Sequence, residues 1–244
     1  MRRAYDQLEG SLQAVIPSLG AMPKAILVVS AHWEEAVPHV STNAAPPMLY
    51  DYYGFPEHTY RIRYPAPGSP ELAGRVSQLL RAGGMDCRGD AKRGFDHGTF
   101  SMMQPIRPEA DIPVVQLSVL TSFDAAEHIA MGRLLAPLRE EGVLVLGSGL
   151  SYHNLRNFGV KGQAASHAFD RWLRDRLSGV DGDQRAIALE RWMDGPAAMQ
   201  AHPRPEHLLP LHVIAGAAGA DPCSVQFHQD DFFGGLAVTS FRFG

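Results

Sequence analysis

Four histidines stand in short polar motifs along this chain. His32 closes the run VVSAH (28–32), His97 lies in GFDHG (94–98), His153 in YHNLR (152–156) and His207 in PEHLLP (205–210). Imidazole is the commonest neutral metal ligand and the readiest proton shuttle near neutral pH. No local motif such as HExxH unites the four, so only a fold can assemble their chemistry. Each is expected where a strand ends or a helix begins, the places where an α/β scaffold presents reactive groups. The combination points to a metal-assisted enzyme rather than a binding module.

Taken singly, each histidine has two readings. An apolar strand delivers His32 to the carboxyl end of a sheet, where ligands bind in open α/β folds. Pro205 is expected to start a helix that places His207 in its first turn. The adjacent Glu206 can ligate a metal, orient an imidazole, or simply complement the positive helix terminus. His153 follows Gly147-Ser148-Gly149, whose glycines let the backbone approach a ligand closely; a structural loop histidine is the equal alternative. Asp96 either orients His97 or shares a plain turn with it. His39, His58, His128, His167, His202, His212 and His228 lack such context and read as structural or solvated.

Strand and helix patterns alternate through the elements that must position these residues. Residues 4–17 carry Leu8, Leu12, Val15 and Ile16 at helical spacing. Ala25–Val29 is an apolar, β-branched buried strand. Residues 43–70, rich in proline and glycine, form an ordered excursion long enough to suggest a role. Ser69-Pro70-Glu71 opens a helix with a serine cap and a proline in the first turn. A strand over 113–119, a helix over 124–140 and a strand over 142–147 follow. Helices over 164–178 and 182–193, a helix after Pro205, and strands near 223–228 and 236–243 complete the chain. The expected fold is α/β, a single domain with a central mixed β-sheet flanked by helices.

Composition narrows the class. With 244 residues the chain can bury one substantial core. A formal charge of −4 with no basic run argues against nucleic acid as a partner. No apolar run approaches the roughly 20 residues of a membrane span, and the N-terminus lacks a signal core. Cys87 and Cys223 are too few for a disulfide framework, so a reduced, cytoplasmic setting is the expectation.

Together the motifs resemble the class III extradiol ring-cleavage dioxygenases, the LigB superfamily, and within it the DOPA 4,5-dioxygenase branch. The matching stretches are SAHW (30–33), GFP (54–56), YPAPGSPELA (64–73), GFDHG (94–98), ADIPVVQLSV (110–119), GSGLSYHNLR (147–156) and HPRPEHLLPLH (202–212). They run in collinear order from about residue 23 to the C-terminus.

The resemblance implies a non-haem Fe(II) enzyme that opens a small catechol beside its two hydroxyls with O2, giving a muconic semialdehyde. His32 and His207 match metal-ligand positions. His153 matches the catalytic acid/base, and His97 a second catalytic histidine near substrate and oxygen. Neutral imidazoles hold Fe(II) while leaving positions for a bidentate catecholate, and Zn(II) is able to replace it during purification. Relatives in this branch begin with a short strand ending in His-Gly-Ser-Pro, which supplies a first metal ligand. This chain has no such motif, and residues 4–17 match the helix that follows it. The resemblance thus gives one catalytic domain over 1–244 with that strand and its histidine absent.

Substrate contacts are less sharply marked. Tyr50, Tyr52, Tyr53 and Phe55 either line an aromatic pocket or pack as a loop. Arg156 either attracts a substrate carboxylate or braces its own loop. From these, Tyr53 and Arg156 are the substrate-binding candidates, and DOPA or a related catechol acid is the expected substrate. Two other functions stay open: a zinc-dependent hydrolase on a similar site, and a non-catalytic relative that lost a metal ligand. An oligomer is compatible with the C-terminal strand.

Overall fold

Apolar runs of β-branched residues become the sheet, and amphipathic stretches become its cover. The structure is a computed structural model that describes residues 2–244. In chain order the elements are α1 (Arg2–Gln13), β1 (Ala25–Glu35), β2 (His39–Ser41), α2 (Pro70–Ala82), β3 (Arg88–Asp90), α3 (His97–Ile106) and β4 (Val114–Leu120). There follow α4 (Ala125–Leu135), α5 (Pro137–Glu140), β5 (Val143–Ser148), α6 (Gln163–Leu177) and α7 (Gly182–Glu190). The chain closes with α8 (Ala198–Ala201), α9 (Leu209–Ala218), β6 (Cys223–Phe232) and β7 (Leu236–Phe243). Among the described residues, no helix is long and apolar enough to cross a membrane.

The described residues group into two compact units. The sheet unit holds Leu12–Ser122 and Leu134–Ser148. Its five strands run in the order β3-β2-β4-β1-β5. β1 is parallel to both β4 and β5, while β2 is antiparallel to β4, so the sheet is mixed as the alternating patterns predict. All seven residues of β4 are buried. Five of the seven are Val or Leu, as a strand covered on both faces requires. The buried polar Gln116 and Ser118 are hydrogen-bonded, Gln116 Nε2 donating to the Gly94 carbonyl and Ser118 Oγ accepting from His39 N–H. α2, α3 and α5 pack on this sheet. Ile26, Val28, Phe95, Phe100, Met103 and Val114 share one of its cores.

The hairpin unit holds residues up to Ser11, Phe123–Arg133 and Gly149–Gly244. Its β6–β7 hairpin is antiparallel. α6 packs against it through a stripe that buries Phe169, Leu173 and Leu177. Trp192, Leu208, Phe232 and Leu236 complete that core.

Four expectations shift. The predicted helix over 4–17 ends at Gln13, with a separate 3₁₀ turn at Ile16–Ser18. The helix over 124–140 breaks before Pro137, whose ring cannot continue the hydrogen-bond ladder. β1 runs on to Glu35, so His32 lies inside a strand rather than at its end. The helix expected after Pro205 starts only at Leu209, with Pro210 in its first turn. His207 therefore sits in the preceding turn, where Leu208 N–H donates to the Pro205 carbonyl (2.8 Å).

Candidate active site: two carboxylate-anchored histidine pairs

In the sheet unit, a bulge in β1 re-aims His32. The β1–β4 register jumps from Ser30–Ser118 to Glu34–Val119, and the β1–β5 ladder ends at Ser30–Ser148. Residues 31–33 are thus free of regular pairing to β4, a device that turns a side chain toward a site. The bulge is locked from below. Ser30 Oγ donates to both oxygens of the buried Asp96 carboxylate (3.0 and 2.9 Å). Arg93 donates to Asp96 Oδ2 (3.0 Å) and to the His32 carbonyl (2.9 Å). The guanidinium also lies 4.8 Å above the Trp33 ring.

Asp96 caps α3 as well, accepting from Thr99 N–H (2.9 Å), so His97 is the first residue of that helix. One buried carboxylate therefore fixes both His32 and His97. Their rings meet edge to face with centroids 4.0 Å apart. Gly98 makes that approach feasible, since a Cβ there would stand 2.7 Å from His32 Cδ2. Asp96 thereby acts beneath the site, orienting both histidines through the backbone rather than through the His97 ring.

A second carboxylate, Asp51, completes the cluster. His97 Nδ1 lies 2.7 Å from Asp51 Oδ1, and His32 Nδ1 lies 3.2 Å from Oδ2. The His97 backbone N–H donates to Oδ1 too (2.9 Å). Partial burial opposes ionisation of Asp51. The bonds from both imidazoles and the amide outweigh it and hold its pKa well below the usual carboxylate range. Asp51 was not among the residues expected from the sequence, because it sits in a loop with no period to mark it.

The hairpin unit gathers the other two histidines. Here the rings of His153 and His207 stack, 3.4 Å between centroids and 16° from parallel. Glu206 Oε1 lies 3.3 Å from His153 Nδ1. Burial again works against ionisation of Glu206, yet the His153 bond, its own backbone bond, and the charges of His153 and Arg204 lower its pKa. Of the three readings open for Glu206, this contact fits the orienting one, while its grouping with His153 and His207 keeps ligation open. Gly149 lies against this turn, and a Cβ there would fall 2.2 Å from the His207 carbonyl oxygen.

The His153 loop is pinned by the segment before Glu206. His153 N–H donates to the Ala201 carbonyl (3.0 Å), and Asn154 Nδ2 to the Gln200 carbonyl (2.8 Å). Asn154 Oδ1 accepts from the amides of Arg156 and Asn157. His202 Nε2 lies 3.0 Å from the Ser151 carbonyl. Expected to be a bland residue, His202 is fully buried and braces the loop, and burial pushes its pKa down to about 4.

The structure thus brings the four histidines into two pairs, His32 with His97 and His153 with His207. In each cluster of two histidines and one carboxylate, one ligand atom per residue lies within 4.8 Å of the others. Nitrogen and oxygen donors of this kind suit Fe(II) or Zn(II). The aromatic loop packs on itself: Tyr52 stands edge-on to His97 at 5.3 Å, and Tyr50 meets Tyr60 and Phe100. Tyr53 is 91% exposed and Arg156 is exposed as well.

Comparison with known proteins agrees with this chemistry. The family model for the catalytic LigB subunit of aromatic ring-opening dioxygenase matches residues 6–235. The chain is 43% identical over 227 residues to a 4,5-DOPA dioxygenase extradiol of Portulaca grandiflora, covering 91% of this chain and 82% of the relative. A 4,5-DOPA dioxygenase extradiol of Escherichia coli is 37% identical over 91% of this chain and 83% of its own length. The crystal structure of an uncharacterized protein from Escherichia coli K12 superposes with a TM-score of 0.81 at 33% identity, over 97% of this chain and 92% of that one. This chain therefore belongs to the LigB family, as an extradiol aromatic ring-opening dioxygenase.

Proposed function

We propose that the protein uses O2 and non-haem Fe(II) to open the ring of a small catechol such as DOPA, giving a muconic semialdehyde-type product. One observation carries the reading: both histidines taken as catalytic, His97 near substrate and oxygen and His153 as acid/base, have Nδ1 against a carboxylate. The DOPA activity named for the relatives supplies the substrate class.

His32 and His207 serve as metal ligands. When bound, Fe(II) supplies open positions for catechol oxygens and O2 and a path for electrons between them. His153 takes a catechol proton and later returns one. Glu206 beside its Nδ1 stabilises the imidazolium formed in between and leaves Nε2 for the transfer. His97 lies beside substrate and oxygen, with the Tyr52 edge against its ring. Tyr53 and Arg156 contact the substrate ring and carboxylate from the surface. Cys87 and Cys223 are buried thiols free of disulfides, in keeping with a cytoplasmic setting.

The test is oxygen uptake by protein reconstituted anaerobically with Fe(II), offered DOPA and simpler catechols. Stoichiometric uptake with a new yellow chromophore is expected. Turnover with Zn(II) alone and no oxygen consumption would overturn the reading in favour of hydrolysis.

A further inference from the structure

We propose that Asp51 is a shared positioning residue, its carboxylate holding both His32 and His97 in the Nδ1–H form so that each imidazole presents Nε2. The inference rests on the assignment of His32 as a metal ligand and His97 as its substrate-side neighbour, and gives that pair a common orienting group.

Two imidazole nitrogens and the His97 amide surround the Asp51 carboxylate, and an ordinary carboxylate is ionised near neutral pH. An ionised carboxylate is acceptor-only. Both contacts run to Nδ1, at 2.7 Å for His97 and 3.2 Å for His32, so each Nδ1 must carry the proton. The lone pair of each neutral ring then sits on Nε2. Fixing the tautomer of a metal-binding histidine through its other nitrogen is a recurrent way to set ring orientation and basicity. Here one carboxylate spends one oxygen on each ring, so displacing it disturbs both.

The loop that brings Asp51 is built to hold that position. Met48 bridges Phe95, with Leu49 N–H donating to the Phe95 carbonyl and Phe95 N–H to the Pro47 carbonyl (2.8 Å each). This pairing runs directly into Asp96 and His97. Gly94 permits it, because a Cβ would lie 2.4 Å from the Pro47 oxygen. Beyond Asp51, Tyr50 and Tyr52 donate to the carbonyls of Ile62 and Thr59 (2.7 Å each), closing the excursion on itself. The Asp51 side chain is 19% exposed despite its open backbone.

Long-range 15N–1H correlation spectra of the full chain, labelled in histidine, read the tautomers directly. Spectra would be recorded metal-free and Zn(II)-loaded, well above the ordinary histidine pKa of about 6.5. Single His32→Gln and His97→Gln variants assign the signals. In the unsubstituted metal-free protein, His32 and His97 are both expected as Nδ1–H; an Nε2–H signal from either overturns the proposal. Asp51→Asn keeps the shape but offers one acceptor oxygen, so one ring should leave the Nδ1–H form. Asp51→Glu should restore it.

Calorimetric Zn(II) titration gives the second readout. Asp51→Ala should weaken binding about 10- to 100-fold while the thermal midpoint changes little, and unchanged affinity overturns the positioning role. Failure of the underlying ligand assignment looks different: His32→Ala would then bind Zn(II) as tightly as the parent while the tautomer signals stayed as expected.

Discussion

The two histidine pairs solve one problem in different ways. In the sheet unit the rings meet edge to face, and a single carboxylate from a distant loop serves both Nδ1 atoms. In the hairpin unit the rings stack, and the carboxylate is the sequence neighbour of one ring while its bond goes to the other. A regular sheet and a capped helix fix the first pair, so the added carboxylate can be shared. Short turns fix the second pair, and the loop needs bracing from Ala201, Gln200 and His202. The sheet unit thus invests in rigid elements, whereas the hairpin unit relies on buried polar loop contacts. Polar contacts of the second kind respond more sharply to pH and to small backbone changes.

Acid should separate the two units most strongly. His202 and His212, both buried in the hairpin unit, have pKa values pushed down to about 4 by burial. Their unfolded-state value is near 6.5, so between about 4 and 6.5 the unfolded chain binds more protons than the folded one. Stability must then fall as pH drops through that window, by about 3 kcal/mol for each histidine. Denaturant titrations from pH 7 to 4 should show the loss, and His202→Gln should reduce it. Hydrogen exchange should place the first opening in residues 149–244; a first opening among the β1–β4–β5 amides would reverse the comparison.

Two glycines sharpen the contrast at smaller scale. Gly149→Ala drives a Cβ into the backbone oxygen of His207, which has no rotamer to escape by. It should cost about 3 kcal/mol and most of the activity. Gly98→Ala meets side-chain atoms instead, the His32 ring edge at 2.7 Å and Ser148 Oγ at 3.1 Å. That ring can give way, so stability should fall by about 1 kcal/mol, and metal affinity should drop more than the thermal midpoint does. Equal stability losses in the two variants would contradict the account.

Carboxylate removal comes next. Glu206→Gln should lower kcat about 10- to 100-fold with bound metal retained, because the imidazolium of His153 loses its counter-charge. Smallest of all is Arg204→Ala. Its guanidinium lies 3.8 Å from Glu206 Oε2 and is half exposed, so the change should be below about 1 kcal/mol in stability.

Much of this was legible in the sequence, and the remainder was hidden for physical reasons. Long periodic stretches such as α2 and α6 carry their own signal, and Ser69 caps α2 by accepting from Leu72 N–H as expected. The four histidine motifs were readable from their polar residue types, although His32 lies inside β1 and not at an element boundary. Three-residue strands such as β2 and β3 are too short for a period. Asp51 becomes visible only through the Met48–Phe95 bridge, a contact no local pattern announces. The turn around His207 was mistaken for a helix because Pro205 resembles a helix start, while Pro210 holds that position.

The central claim is that His153 moves protons while His32 holds metal, and one paired measurement tests it. Fe(II) content and oxygen-dependent catechol cleavage would be determined together for His153→Phe and His32→Ala. The account predicts full iron and at least about 100-fold slower cleavage in the first, with iron itself lost in the second. Unimpaired cleavage by His153→Phe, or full iron occupancy in His32→Ala, would contradict it.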